Sequence, residues 1–213
     1  MYKLINRFGL IIFVLSILIV TNSCGGAKTE IIGEWQEESY QKGNIEKVLI
    51  LGIFKKDKPL LRRNFEDGMK RAFTDGGVNA TVSMDYMPHD EVVDSTTFEK
   101  HFKELNLDAV VVSRLVGINQ ERDYKAGYLY TIPFTSYYGF YGYYYAGIAY
   151  ANSGGYMSKN VVVVLETNIY ETTGKKLIWS GISETVDPDK ASDVINSFGD
   201  ELVSKLKSQG YFK

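Results

Sequence analysis

Apolar and polar residues follow one another along the first half of the chain in two different periods. A run of apolar residues over 47–54 has the length of a strand and is bounded by charge, which is typical of a strand buried on both faces. Apolar residues then recur every fourth position among charged ones, which predicts an amphipathic helix over 58–77. The recurring residues are Leu61, Phe65, Met69 and Phe73.

Three further segments extend this alternation of strands and helices. Alternating apolar residues predict a strand over 78–87, and Asp94 or Ser95 is placed to cap a helix over 96–105. An apolar run predicts a third strand from Asp108 to Ile118. This order of elements is typical of an α/β arrangement.

The second half of the chain has a different pattern. Two long apolar segments, 160–170 and 176–185, flank a turn over 171–175, which predicts a β-hairpin. An apolar stripe then predicts a helix over 191–210. We expect one domain over 47–213, of the α/β or α+β class, with a mixed sheet and two or three packed helices.

Between these halves lies an insertion of unusual composition. Residues 126–158 carry no charge and include ten Tyr and six Gly. A loop of this length is usually functional or disordered, and the Gly content argues against a stable helix. Three interpretations stay open: a low-complexity loop, a surface for a protein or glycan partner, and a hairpin that enters a membrane or pairs in an oligomer. The candidate interaction residues are Tyr137, Tyr138, Phe140, Tyr141, Tyr143, Tyr144 and Tyr145.

The first 23 residues have the features of a secretory signal peptide. Lys3 and Arg7 give a positive start, and residues 9–20 are apolar except for one serine. This run is shorter than the roughly 20 residues that a membrane-spanning helix needs. Small and polar residues follow and end at Ser23, before Cys24, which is the pattern of a cleavage site.

Cys24 is the only cysteine of the chain and has no internal disulfide partner. The segment 20–24 resembles a lipobox, with Ser23 as the small residue before the cysteine, although Thr21 and Asn22 depart from the usual pattern. We therefore predict that Cys24 is lipidated and holds the protein at a membrane. Residues 24–46 are mostly polar and are interpreted as a tether, with a short edge strand over 31–35 as the alternative.

The sequence contains no recognised catalytic, phosphate-binding or metal-binding motif. Asp85, His89, Asp90 and Glu91 form a local group of possible ligands, which is more often a solvated turn. Arg114 is expected to pair with an acidic residue. We expect no enzymatic activity, no cofactor and no metal.

The net charge of the chain argues against a nucleic-acid partner. Removal of Lys3 and Arg7 changes the net charge from −2 to −4, which lacks the basic excess of a nucleic-acid-binding protein. The mature chain is long enough to bury a core. We expect a membrane contact through the lipid, an envelope protein partner and, as a further possibility, a homo-oligomer.

Four features together resemble small bacterial envelope lipoproteins. They are the lipobox Cys24, the opening strand 48–54 with its helix, the insertion 126–158, and the segment Ile169–Gly181. That last segment is similar to an ending common in uncharacterised lipoprotein families. The fold of those families resembles the amino-terminal domain of TolB, the curli secretion lipoprotein and the lipoprotein activator of a penicillin-binding protein.

The resemblance implies a fold more than a function. We expect a lipid-anchored lipoprotein that faces the periplasm, at the outer membrane because no Asp follows Cys24, and that acts as a non-enzymatic assembly or interaction module. The alternative is a subunit of an oligomeric secretion or pore complex that uses the aromatic insertion.

Overall fold

The computed structural model describes residues 27–87, 89, 92–119, 139–151, 162–186 and 188–213. Six strands form one mixed sheet in the order β1-β6-β5-β4-β2-β3. The strands are β1 (Lys28–Gln36), β2 (Lys47–Ile53), β3 (Asn79–Val82), β4 (Ala109–Asn119), β5 (Val162–Glu171) and β6 (Leu177–Val186). Strand β2 runs parallel to both of its neighbours, β3 and β4. The pairs β4–β5, β5–β6 and β6–β1 are antiparallel. The predicted mixed sheet is confirmed, and the fold is α+β.

Four helices of at least ten residues lie in the described part of the chain. They are α1 (Pro59–Asp75), α2 (Ser95–Glu104), α3 (Gly139–Ala151) and α4 (Ala191–Ser208). Helices α1 and α4 cover one face of the sheet, and α2 and α3 cover the other. The sheet is therefore the middle of three layers.

Strand β2 contributes to both cores, as its apolar run predicts. Val48 and Ile50 belong to the first core cluster, which contains α1 and α4, while Leu49 and Leu51 belong to the second, which contains α2 and α3. All four side chains are buried. Successive residues of a strand point to opposite faces, so a strand covered on both faces needs apolar residues at every position.

The predicted helix boundaries are confirmed to within a few residues. Pro59 occupies the first turn of α1, where its missing N–H costs little. The carboxylate of Asp94 accepts the N–H of Thr97 at 2.7 Å, which makes Asp94 the cap of α2. Trp179 of β6 lies in the first core cluster, and its Nε1 donates to Gln209 Oε1 at 3.1 Å, just after α4.

Strand β3 is shorter than the sequence predicts. It ends at Val82, and the chain turns into a short 3-10 helix over Ser83–Asp85. The Ser83 hydroxyl donates to the buried carboxylate of Glu66, and this carboxylate also accepts the N–H of Met84. These two bonds turn the chain away from the sheet before the alternating pattern ends.

The interpretation of residues 24–46 as a tether is wrong for the nine residues of β1. This strand pairs with β6 along its length, from Lys28 opposite Val186 to Gln36 opposite Trp179. The Thr29 hydroxyl is buried, 2.6 Å from the Thr185 hydroxyl. The edge-strand alternative holds, and the strand is longer than 31–35 because β6 offers a partner over its whole length.

The expectation that the insertion 126–158 contains no stable helix is also wrong, since α3 lies within it. Each helical Gly costs about 1 kcal/mol relative to Ala. Phe140, Tyr143 and Tyr144 follow the spacing of one helix face and are buried in the second core cluster. Full burial of one such side chain contributes roughly 1.5–3 kcal/mol, which outweighs the cost of the glycines.

Candidate functional site

The candidate interaction residues divide into three groups by their position. Tyr137 and Tyr138 lie outside the described residues, as does the predicted lipidation site Cys24. The remaining five residues all lie on α3. Their side chains differ in burial, so they do not form one common surface.

Three of the five side chains pack inside the domain. The ring of Phe140 lies edge-on to Phe98 at 5.0 Å and to Tyr170 at 5.6 Å. Tyr144 also lies edge-on to Phe98, at 4.9 Å, and its hydroxyl accepts the N–H of Val93. Phe140, Tyr143 and Tyr144 therefore hold α3 against α2 and the sheet, and within this chain they are not available to a partner.

Tyr141 and Tyr145 reach the surface. The Tyr141 hydroxyl donates to Glu99 Oε1 at 2.9 Å, and Glu99 also pairs with Lys175. Burial, together with the bond to Glu99, raises the pKa of Tyr141 above its ordinary value. Tyr145 donates to the carbonyl oxygen of Val93 at 3.2 Å and keeps 40% of its surface exposed.

Tyr143 joins a buried charged pair on the same face of the sheet. Arg114 on β4 lies opposite Glu166 on β5, and its Nε donates to Glu166 Oε2 at 2.9 Å. The same Nε lies 3.1 Å from the Tyr143 hydroxyl, which accepts from it. Burial raises the pKa of Tyr143 far above its ordinary value, so its hydroxyl stays protonated. The predicted acidic partner of Arg114 is confirmed.

A second buried pair fixes the start of α1 to the sheet. Glu66 is fully buried, and its Oε1 accepts from Arg62 Nε at 2.8 Å and from the Gly52 N–H at 3.0 Å. The Ser83 hydroxyl lies between the two side chains: it accepts from Arg62 and donates to Glu66. A local sequence pattern does not reveal this site, because its members come from β2, α1 and the turn after β3.

The predicted group of ligands is not assembled as a metal site in the described part of the chain. Asp85 pairs with Arg63 at 2.6 Å, while His89 Nε2 lies 3.1 Å from the carbonyl oxygens of Lys55 and Lys56. Asp90 and Glu91 lie outside the described residues. No group of three potential metal ligands occurs among the residues that are described.

A polar cavity of about 290 Å³ lies beside the β5–β6 turn. Glu37 and Lys176 line it and pair at 3.1 Å, and Ser39 donates to Glu37. The hydrogen bonds from Ser39, with Lys176 nearby, lower the pKa of Glu37 to about 2. Glu37 and Lys176 of this cavity are therefore already paired with each other.

Each of these arrangements has the chemistry of a structural contact. The two buried pairs join separate elements of the fold, and the aromatic face of α3 joins the helix to the core. Among the aromatic side chains of α3 whose burial is described, the Tyr145 ring is exposed and Tyr141 is half-buried. In the described portion of the chain, no helix is long and apolar enough to cross a membrane.

Comparison with known proteins gives structural neighbours alone. No family model and no curated protein matches this sequence. A PelC dodecamer structure from Paraburkholderia phytofirmans aligns with a TM-score of 0.47 at 11% identity, covering 84% of this chain and 96% of that chain. Lipoprotein GNA1162 from Neisseria meningitidis aligns with a TM-score of 0.41 at 9% identity, covering 76% of this chain and 98% of that chain.

A third solved structure, hypothetical protein CT253 from Chlamydia trachomatis, aligns with a TM-score of 0.33 at 9% identity. It covers 79% of this chain and 93% of its own. At these identities and TM-scores we transfer neither residue roles nor functions from the three structures to this chain.

Proposed function

We propose that this chain is a bacterial lipoprotein, anchored through a lipid on Cys24, that acts as a non-enzymatic assembly or interaction module of the cell envelope. The observation that carries the proposal is the amino-terminal pattern: a positive start, a short apolar run over 9–20, and the junction of Ser23 with Cys24. An envelope protein is the proposed partner. The domain faces the periplasm, and the outer membrane is the proposed location because Gly25, not Asp, follows the cysteine.

The position of the folded domain along the chain is compatible with such an anchor. Strand β1 begins at Lys28, four residues after Cys24. Lipid chains stabilise a membrane contact by about 0.8 kcal/mol per buried methylene, and two chains already give stable anchoring. A lipidated Cys24 thus keeps the domain at the membrane surface, where it meets other envelope proteins.

Mass spectrometry of the mature protein tests the anchor. We expect cleavage before Cys24 and added acyl mass on this residue. Cys24→Ser should leave an uncleaved precursor, whereas Ser23→Ala, which keeps a small residue before the cysteine, should be processed normally. An unmodified mature amino terminus in a soluble fraction contradicts the proposal.

The accessible part of α3 is the proposed partner surface. Tyr145 is the clearest candidate, since its ring is exposed while Tyr143 and Tyr144 are packed inside. Crosslinking in intact cells followed by purification should recover a partner with the parent protein and less of it with Tyr145→Ser. Tyr86→Ser is the matched control, because Tyr86 has the same 40% exposure and lies outside α3. Equal recovery with both variants excludes α3 as the partner surface.

A homo-oligomer is the second candidate, favoured by the edge strand β1. This strand pairs with β6 on one side and is the last strand of the sheet, and its Ile32 and Trp35 side chains are exposed. An exposed edge strand with apolar side chains is a template for pairing with another chain. Light scattering in detergent should then show an assembly that Ile32→Lys dissociates, while a monomeric parent protein excludes this candidate.

A further inference from the structure

The polar cavity beside the β5–β6 turn contains more polar groups than its own ion pair uses. Glu37, Ser39 and Lys176 are bound to one another in its wall. Four further residues line the cavity, and within the described part of the chain each of them has a polar side-chain group without a hydrogen-bond partner. They are Tyr40, Gln41, Asn44 and Glu171. We call the space lined by these seven residues the acceptor cavity.

The Glu171 carboxylate is the charged group of this cavity that has no partner. Glu171 is half-buried at the end of β5, and its carboxylate forms no ion pair or hydrogen bond with the described residues. A Cβ built on Gly174 would lie 2.7 Å from Glu171 Oε1, so the glycine of the turn leaves the room that the carboxylate occupies. The lone pairs of this carboxylate are therefore available to a ligand.

The Tyr40 side chain adds an uncharged oxygen to the cavity. Its ring stacks on the buried ring of Tyr211, with the centroids 5.9 Å apart, and this packing restricts its movement. Burial, together with the nearby carboxylates of Glu171 and Asp108, raises the pKa of Tyr40 above its ordinary value. The hydroxyl therefore stays protonated near neutral pH, and its oxygen can accept a hydrogen bond.

The charge and the hydrogen-bonding groups of the acceptor cavity favour a cationic ligand with several donors. Two carboxylates and one ammonium group line the cavity, which leaves one negative charge. Asn44 Nδ2 donates to the carbonyl oxygen of Gln41 at 3.3 Å, so the acceptor Oδ1 of this amide remains without a partner. A guanidinium group has a positive charge and five N–H donors, in a planar fork that matches a carboxylate.

The size of the cavity suits one side chain better than a larger molecule. Its volume of about 290 Å³ lies at the lower end of the range for small-molecule pockets. Arginine is enriched among the residues that contribute most to protein–protein binding, where it enters a pocket of the partner. An arginine side chain therefore combines the charge, the donors and the size that this cavity requires.

We propose that the acceptor cavity binds the guanidinium group of an arginine side chain from a partner protein, with the Glu171 carboxylate as its anion. The Tyr40 hydroxyl oxygen and the Asn44 amide oxygen are further acceptors, and Glu37 remains paired with Lys176. This site is separate from the partner surface proposed on α3, and it does not depend on the lipidation of Cys24.

An NMR titration of the purified mature protein in detergent micelles tests the site. The probe is N-acetyl-arginine amide. N-acetyl-citrulline amide is the matched neutral ligand, because its urea group has nearly the shape of guanidinium without the charge, and N-acetyl-lysine amide keeps the charge without the planar fork. Glu171→Gln removes the carboxylate without a partner. Glu38→Gln is the matched control, since Glu38 is exposed and does not line the cavity.

We expect the arginine probe to shift the amide signals of residues 37–44 and 171–176 to saturation. The citrulline probe should bind about tenfold more weakly, because hydrogen bonds between charged groups contribute more than neutral ones. Glu171→Gln should weaken binding of the arginine probe by a similar factor, while Glu38→Gln should leave it unchanged.

Three results overturn the inference. They are the absence of saturable shifts, binding of either control probe as tight as that of the arginine probe, and equal effects of the two substitutions. The amide spectrum of each variant also shows whether it is folded. If Glu171→Gln is unfolded, the comparison of the three probes on the parent protein decides the question.

Discussion

Replacement of Phe140 by Ala tests whether the Tyr/Gly-rich insertion is part of the core. The Phe140 side chain is 1% exposed and contacts the rings of Phe98, Phe102 and Tyr170, with centroids 5.0–5.7 Å away. Truncation of a buried Phe to Ala costs about 3–5 kcal/mol, because it removes apolar contacts and leaves a cavity. A loss of this size lowers the Tm of a domain of this length by roughly 6–20 °C.

Urea denaturation of the mature chain carrying Cys24→Ser gives the free energy of unfolding directly. We expect Phe140→Ala to shift the midpoint with an unchanged m-value, which indicates a change in stability alone. Tyr145→Ala is the matched control on the same helix, and we expect it to cost less than about 1 kcal/mol because the ring is exposed.

A loss below about 1 kcal/mol for Phe140→Ala would refute this reasoning. Such a result would mean that the sheet and α2 remain stable without the aromatic face of α3. It would also mean that replacement of residues 126–158 by a short linker leaves the cooperative melt intact. The structure predicts instead that this replacement destabilises the domain, since it removes the packing of α3.

Three further predictions concern other buried or paired groups. Glu66→Gln leaves the Arg62 cation without its anion in the interior and should cost about 3–5 kcal/mol in the same assay; an unchanged midpoint would show that water reaches Arg62. Trp179→Ala should also cost about 3–5 kcal/mol, and Trp179→Phe less, because the indole is buried beneath α4; equal losses would assign the effect to the indole N–H. Hydrogen bonds from Ser39 hold the pKa of Glu37 near 2, so the stabilisation from its carboxylate is present above about pH 4.5 and is lost as the pH falls toward 2. NMR titration of the Glu37 side chain checks this, and a midpoint near 4.5 would contradict it.

Local sequence patterns were sufficient to predict the elements whose buried side chains recur at a regular spacing along the chain. The four-residue spacing of Phe65, Met69 and Phe73 gave α1, since those residues form one buried face. Asp94 marked the start of α2 because its carboxylate accepts an N–H three residues later, a contact within one turn of the chain. In these cases the sequence pattern and the helix both depend on interactions between residues only three or four positions apart.

The sequence alone predicted that Arg114 forms an ion pair, but it did not predict the contact of Arg114 with Tyr143. An arginine within a largely apolar strand is expected to pair with an acid, and Glu166 is that acid. The contact with the Tyr143 hydroxyl depends on how α3 lies on the sheet. That placement follows from packing among distant segments, so no local pattern contains it.

Tertiary structure decided three features that local patterns left open or gave wrongly. Strand β1 exists because β6, more than 140 residues later in the chain, offers it a paired edge. Strand β3 stops early because Ser83 is bonded to Glu66 on α1. Helix α3 forms despite its glycines because the sheet and α2 bury its aromatic face.

The same division applies to the candidate functional residues. The sequence by itself determined the anchor hypothesis at Cys24 and pointed to the tyrosines of the insertion as one group. The tertiary structure separated Tyr143 and Tyr144, which are buried, from Tyr145, which is exposed. Composition is a sum over residues, whereas exposure depends on which face of a helix meets the core, and the fold decides this.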